Sequence, residues 1–128
     1  MQLSILAAAS SALLALAPAG ALAQCAGTGK GTCTLGISGK LVGTGDISWG
    51  DATVYNNKCE ILGKKVQINE NQAIESKLPW TVVVNELHWN GDYNKIGFCY
   101  SKFCFNGYFH CVLGDDKVTN ACKHTFPC

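Results

Sequence analysis

The sequence predicts a small all-β domain, mainly antiparallel, with a sandwich or barrel-like architecture stapled by disulfides and at most one short helix. Three observations predict it. Short runs of β-branched and aromatic residues alternate with turn signals built on Gly, Asn and Asp. Eight cysteines are spread from Cys25 to Cys128. The only helical periodicity outside the first segment is a short stretch after Asn69.

That first segment, MQLSILAAASSALLALAPAGALA, has no charged side chain and ends in Ala21-Leu22-Ala23, the small-x-small pattern of a signal-peptidase site. Its apolar run from Leu3 to Ala17 is shorter than the roughly 20 residues needed to span a bilayer, and no later run comes closer. The expected organisation is a signal peptide over residues 1–23 and a single disulfide-rich β domain over 24–128. Such a chain is expected to be secreted, extracellular and monomeric, without membrane insertion.

In chain order, residues 24–50 are rich in Gly and Thr, with short β runs at Thr34 to Ile37, Lys40 to Val42 and Asp46 to Trp49 and a turn at Gly43-Thr44-Gly45. The Gly27-Thr28-Gly29-Lys30-Gly31-Thr32 stretch fails the phosphate-loop motif, because Gly31 stands where Ser or Thr is needed and Gln24 where the leading Gly belongs. It reads as a loop tied down through Cys25 and Cys33. Strands are expected at Ala52 to Tyr55 and Cys59 to Ile68, joined at Asn56-Asn57-Lys58 and interrupted at Gly63. Asn69 is placed to cap a short helix carrying Ala73, Ile74 and Leu78 and ending before Pro79.

The richest β sequence is TVVVNELHWNGDYNKIGFCYSKFCFNGYFHCVL, from Thr81 to Leu113. Two Asn-Gly dipeptides, at 90–91 and 106–107, predict type I′ hairpin turns and hence a three-strand meander over 81–89, 92–105 and 108–113. In that register His88 faces Tyr93 and Glu86 faces Lys95, an opposite-charge cross-strand pair. The expected core face holds Val83, Leu87, Trp89, Ile96, Phe98, Tyr100, Cys104, Phe109, Cys111 and Leu113. Val82 and Val84 fall on the other face, and a bulge near Gly97 to Ser101 is expected in so long a middle strand. The tail opens with a turn at Gly114-Asp115-Asp116 and ends on Cys128, a tied-down terminus.

Cys25, Cys33, Cys59, Cys99, Cys104, Cys111, Cys122 and Cys128 predict up to four disulfides in a small extracellular domain, with about a hundred connectivities open. In the predicted register Cys99, Cys104 and Cys111 all bond outside the hairpin. No C-x₂-C or H-x₃-H pair points to zinc, Asn90, Asp92 and Asn94 lack the Glu that would complete a calcium loop, and no metal or cofactor is expected. The basic residues are all Lys, ten against nine acidic residues. A near-neutral chain without Arg is not built for phosphate-backbone recognition, so nucleic acid is not an expected partner.

Catalytic candidates are few. G-x-S-x-G is absent and the cysteines are expected to be oxidised, which leaves Glu86, His88, His110, His124 and five Asp residues. A Glu with two His would suit acid/base cleavage of RNA, but the predicted register separates Glu86 from His110 along the meander. The first hairpin tip, His88, Trp89, Asn90, Asp92 and Tyr93, is the expected binding site, since it presents aromatic rings among hydrogen-bonding groups. Trp89 has a competing reading as a core residue.

A signal segment, a mature length near a hundred residues, and eight cysteines reaching both ends of a β-rich chain together resemble the small secreted cysteine-rich proteins of filamentous fungi. The resemblance is one of format and carries over no site residue. It implies a non-enzymatic binding protein, an effector or virulence factor acting on a host protein or carbohydrate, with a killer-toxin-like or antimicrobial protein as the alternative. A small secreted ribonuclease is the second alternative. The guanine-specific fungal ribonucleases are similar in length and in having cysteines near both ends, but their Arg is missing here.

Overall fold

The computed structural model describes residues 25–43, 46–89 and 94–128, which form nine strands and no helix. These are β1 (Thr32–Val42), β2 (Asp46–Tyr55), β3 (Ile61–Lys65), β4 (Gln72–Ile74), β5 (Val82–Trp89), β6 (Asn94–Tyr100), β7 (Phe103–Gly107), β8 (His110–Leu113) and β9 (Thr119–Pro127). They build a five-stranded sheet in the order β3-β2-β1-β9-β8 and a four-stranded sheet in the order β4-β5-β6-β7. Every strand pairing is antiparallel. One core lies between the sheets: Leu35, Ile37, Val54, Cys122 and Phe126 from the first meet Val82, Val84, Ile96, Phe98 and Tyr100 from the second. Phe98 is its hub, with ring centroids 5.5 Å from Phe126, 5.7 Å from Phe109 and 6.0 Å from Phe103. The all-β, disulfide-stapled class expected from the sequence is what the chain adopts.

Several local expectations are corrected. The segment after Asn69 is not helical. Gln72–Ile74 pairs with Val82–Val84 as an edge strand, which buries Ile74. Asn71 takes a left-handed φ of 63° just before it, a conformation no helix tolerates. Cys59 to Ile68 is likewise not one strand, since β3 covers only Ile61–Lys65 and both Cys59 and Gln67 have positive φ.

In the meander, Trp89 faces Asn94 and His88 faces Lys95, two residues further along than the expected partners Asp92 and Tyr93, and the expected turn at Asn90-Gly91 lies outside the described residues. Glu86 nonetheless reaches Lys95 diagonally, at 3.5 Å. The bulge falls on β5 between Val84 and Glu86. It puts Val82 and Val84 in the core and leaves Val83 on the surface, the reverse of the expected faces. The second reversal is not at Asn106-Gly107 either. Tyr100 pairs with Phe103 across a two-residue turn whose first residue, Ser101, has φ 54°. Gly107 ends β7 with no left-handed φ, and Asn106 donates from its side-chain amide to Glu86 Oε2 at 2.7 Å. The chain then crosses to the other sheet, where His110 pairs with Lys123 and Leu113 is exposed.

All eight cysteines are paired: Cys25–Cys59, Cys33–Cys128, Cys99–Cys104 and Cys111–Cys122. Cys111 does bond outside the hairpin. Cys99 and Cys104 bond to each other, because the turn at Ser101 makes them direct cross-strand partners with Cα atoms 4.1 Å apart. Both chain ends of the described domain are held, Cys128 to β1 and the segment from Cys25 to Lys30 over the outer face of the first sheet. There the Thr28 amide donates to the Asn57 carbonyl at 3.0 Å and its hydroxyl to the Thr32 carbonyl at 2.9 Å.

Candidate functional site

Of the five residues expected at the hairpin tip, Asn90, Asp92 and Tyr93 lie outside the described residues. His88 is exposed. Trp89 is half-buried against the core, and its indole Nε1 is buried with no hydrogen-bond partner among the described residues. The indole therefore packs inward, as in the competing core reading.

A cleft of about 490 Å³ opens on another part of the surface, where the Ser101 turn, the end of β9 and the residue after Pro79 converge. Trp80 stands on its rim with 58% of its surface exposed. The indole is fixed rather than loose: its ring meets Tyr100 edge-to-face at 5.9 Å. Tyr100 is 3% exposed, packs on Phe126 at 5.3 Å, and keeps a buried hydroxyl with no partner among the described residues. Phe103 adds a third ring, and Ser101 and Lys102 bring polar groups on the turn. The far wall is Gly31 with Pro127 and Cys128, held by the Cys128 amide donating to the Gly31 carbonyl at 2.9 Å.

A second, smaller pocket of about 310 Å³ lies on the outer face of the five-stranded sheet, beneath the Cys25 segment. Ala26, Thr28, Thr34, Tyr108, His110, Lys123, His124 and Thr125 line it. It gathers His110 and His124, which the expected register had not associated. Glu86 lines neither pocket and is bound to Asn106 and Lys95, the Asn106 amide first among the causes that lower its pKa. The imagined Glu with two His is therefore not assembled. His124 is engaged elsewhere, stacked on Phe105 at 3.7 Å with Nδ1 2.6 Å from the Thr125 carbonyl.

No group of three or more His, Cys, Asp or Glu side chains among the described residues is arranged to hold a metal ion. No family model matches the chain, and neither the curated proteins nor the solved structures contain a match to it. Neither pocket was legible as a site in the sequence. Trp80 sits between Pro79 and a strand with no periodic partner, and Tyr100 and Phe103 read as interior strand residues until the turn at Ser101 is known. An unpatterned Trp directly after a Pro and ahead of a strand was the one usable signal.

Proposed function

We propose that this protein is a secreted, non-enzymatic binding protein, an effector that acts on host carbohydrate or protein, and that its ligand seat is the Trp80 cleft, which suits a glycan. One observation carries the reading: an exposed indole held edge-on to Tyr100 borders an open cleft in which a buried phenol hydroxyl has no partner among the described residues. A sugar ring offers both an apolar face for the indole and hydroxyls for Tyr100, Ser101 and Lys102, and ligand sites combine such apolar walls with a few placed polar groups. The four disulfides, typical of extracellular proteins, and the signal-like first segment support export. The format shared with secreted fungal proteins supports the effector role.

The test is binding of the disulfide-bonded protein and its W80A variant to an oligosaccharide array, beside a pull-down from host extract. Trp80 is mostly solvated, so W80A is expected to keep its melting temperature within a few degrees while losing about tenfold or more in affinity, as an aromatic anchor does. Undiminished binding by W80A takes the seat away from the cleft. A silent array and an empty pull-down, with microbial growth inhibited by the pure protein, favour the toxin alternative over the effector.

A further inference from the structure

We infer that the pocket formed by Thr34, His110 and Lys123 is a second binding site, for a small ligand that carries an oxyanion on an apolar body. It shares no lining residue with the Trp80 cleft. Strand register fixes who faces it. His110 is the direct cross-strand partner of Lys123, and Thr34 of Thr125, two residues along the same strand as Lys123. All four side chains therefore emerge on one face of the sheet.

Three features of that face ask for an anion. Basic residues placed directly opposite each other gain nothing from their neighbour, and a Lys opposite a His is such a pair. No carboxylate lines the pocket, and Lys123 makes no ion pair among the described residues. Thr34 is 1% exposed, and its hydroxyl has no hydrogen-bond partner among the described residues although it belongs to the pocket lining. An unpartnered buried hydroxyl is costly unless something accepts or donates to it. The Lys123 ammonium, an imidazole N–H and the Thr34 O–H form a donor set matched to oxyanion oxygens. Ala26, the Tyr108 ring and the threonine methyls offer apolar wall, and about 310 Å³ suits a ligand at the small end of the usual range. A phosphate or sulfate monoester and a carboxylate share this chemistry.

The test is a titration of the disulfide-bonded protein followed by ¹⁵N–¹H spectra, with phenyl phosphate, phenylacetate and uncharged benzyl alcohol as probes. Saturable shifts are expected at the amides of Thr34, Lys123 and Thr125 with at least one anion, and benzyl alcohol is expected to bind about tenfold or more weakly, since charge-assisted hydrogen bonds are the strong ones. Tighter binding of phenyl phosphate assigns a tetrahedral oxyanion, and tighter binding of phenylacetate a carboxylate. K123Q keeps an unbranched polar side chain, one bond shorter, without the charge, and T34V keeps the shape of Thr34 without its hydroxyl. Each is expected to weaken the preferred anion, K123Q by about tenfold and T34V by about threefold, while leaving benzyl alcohol unchanged. Absence of saturable shifts at these amides, or wild-type anion binding by both variants, overturns the inference.

Discussion

The bridge between Cys33 and Cys128 closes 95 residues of sequence, whereas Cys99–Cys104 closes only five. If a disulfide stabilises chiefly by restricting the unfolded chain, the longer loop contributes about 4.7 kcal/mol and the shorter about 2 kcal/mol. Two of the other bridges lie inside the long loop and shorten its path by about a seventh, which lowers its contribution by only about 0.1 kcal/mol because the dependence is logarithmic. Packing acts in the same direction, since Cys33 is 1% exposed and belongs to the core cluster while Cys104 is exposed. Replacing both members of a pair by Ala should therefore cost about 2.5 kcal/mol more at Cys33/Cys128 than at Cys99/Cys104. In a domain near a hundred residues that separates the melting temperatures by about 10–20 °C. Thermal unfolding followed by circular dichroism without reductant measures it. Equal melting temperatures, or a less stable Cys99/Cys104 variant, would refute the loop-length reasoning.

Two further outcomes follow from local geometry. A Cβ at Gly63 would lie 2.6 Å from the Ser76 Cβ and closer still to the Glu75 carbonyl, so Gly63→Ala should destabilise by about 1–3 kcal/mol; Gly107→Ala meets only the far edge of the Phe105 ring at 3.2 Å and should cost less than about 1 kcal/mol in denaturant titrations. The opposite ranking would restore the turn at Asn106-Gly107. Asp116 accepts hydrogen bonds from the Thr119 hydroxyl and from the Thr119 and Val118 amides, which hold its pKa at about 2 against an ordinary 3.8. A lowered folded-state pKa means that its contribution is fully present above pH 3.8 and is lost as pH falls through about 2. An NMR titration should place its midpoint at about 2, and a midpoint near the ordinary 3.8 would contradict the capped-turn geometry.

The fold class was legible because alternation and turn residues are local properties, and the tie-down of both ends of the described domain was legible because cysteines at the two extremes of a small disulfide-rich domain have few other uses. Pairing was not legible where a turn depended on something distant. Asn106-Gly107 has the composition of a hairpin turn, yet its amide is taken by Glu86 across Gly97, and the reversal is made by Ser101 and Lys102, which lack the Asn-Gly signature. The stretch after Asn69 has helical spacing, but its short strand is decided by an available edge at Val82–Val84, which lies later in the chain. Even the bulge at Asn85, one extra residue, was enough to exchange the faces of Val82, Val83 and Val84. Both pockets inherit these long-range choices: Trp80 meets Tyr100, and Thr34 shares a face with Lys123, only once the sheets are assembled.

Each sheet of a sandwich ends in two strands whose outward backbone groups invite another chain to pair with them. Here those ends are closed in two different ways. On one side the edges β3 and β4 meet each other, through the bridge between Gly63 and Ser76 and the Lys77 amide donating to the Leu62 carbonyl at 3.0 Å. On the other side β7 and β8 are consecutive edges, and each is bonded covalently to the strand beside it, Cys104 to Cys99 and Cys111 to Cys122. Strand exchange between copies requires an edge to peel away, and neither β7 nor β8 can do so while its bridge is intact. A protease needs the same local opening to reach the backbone. Reductant is thus the condition under which swapped dimers and nicking within 103–113 should first appear, well before the core around Phe98 gives way.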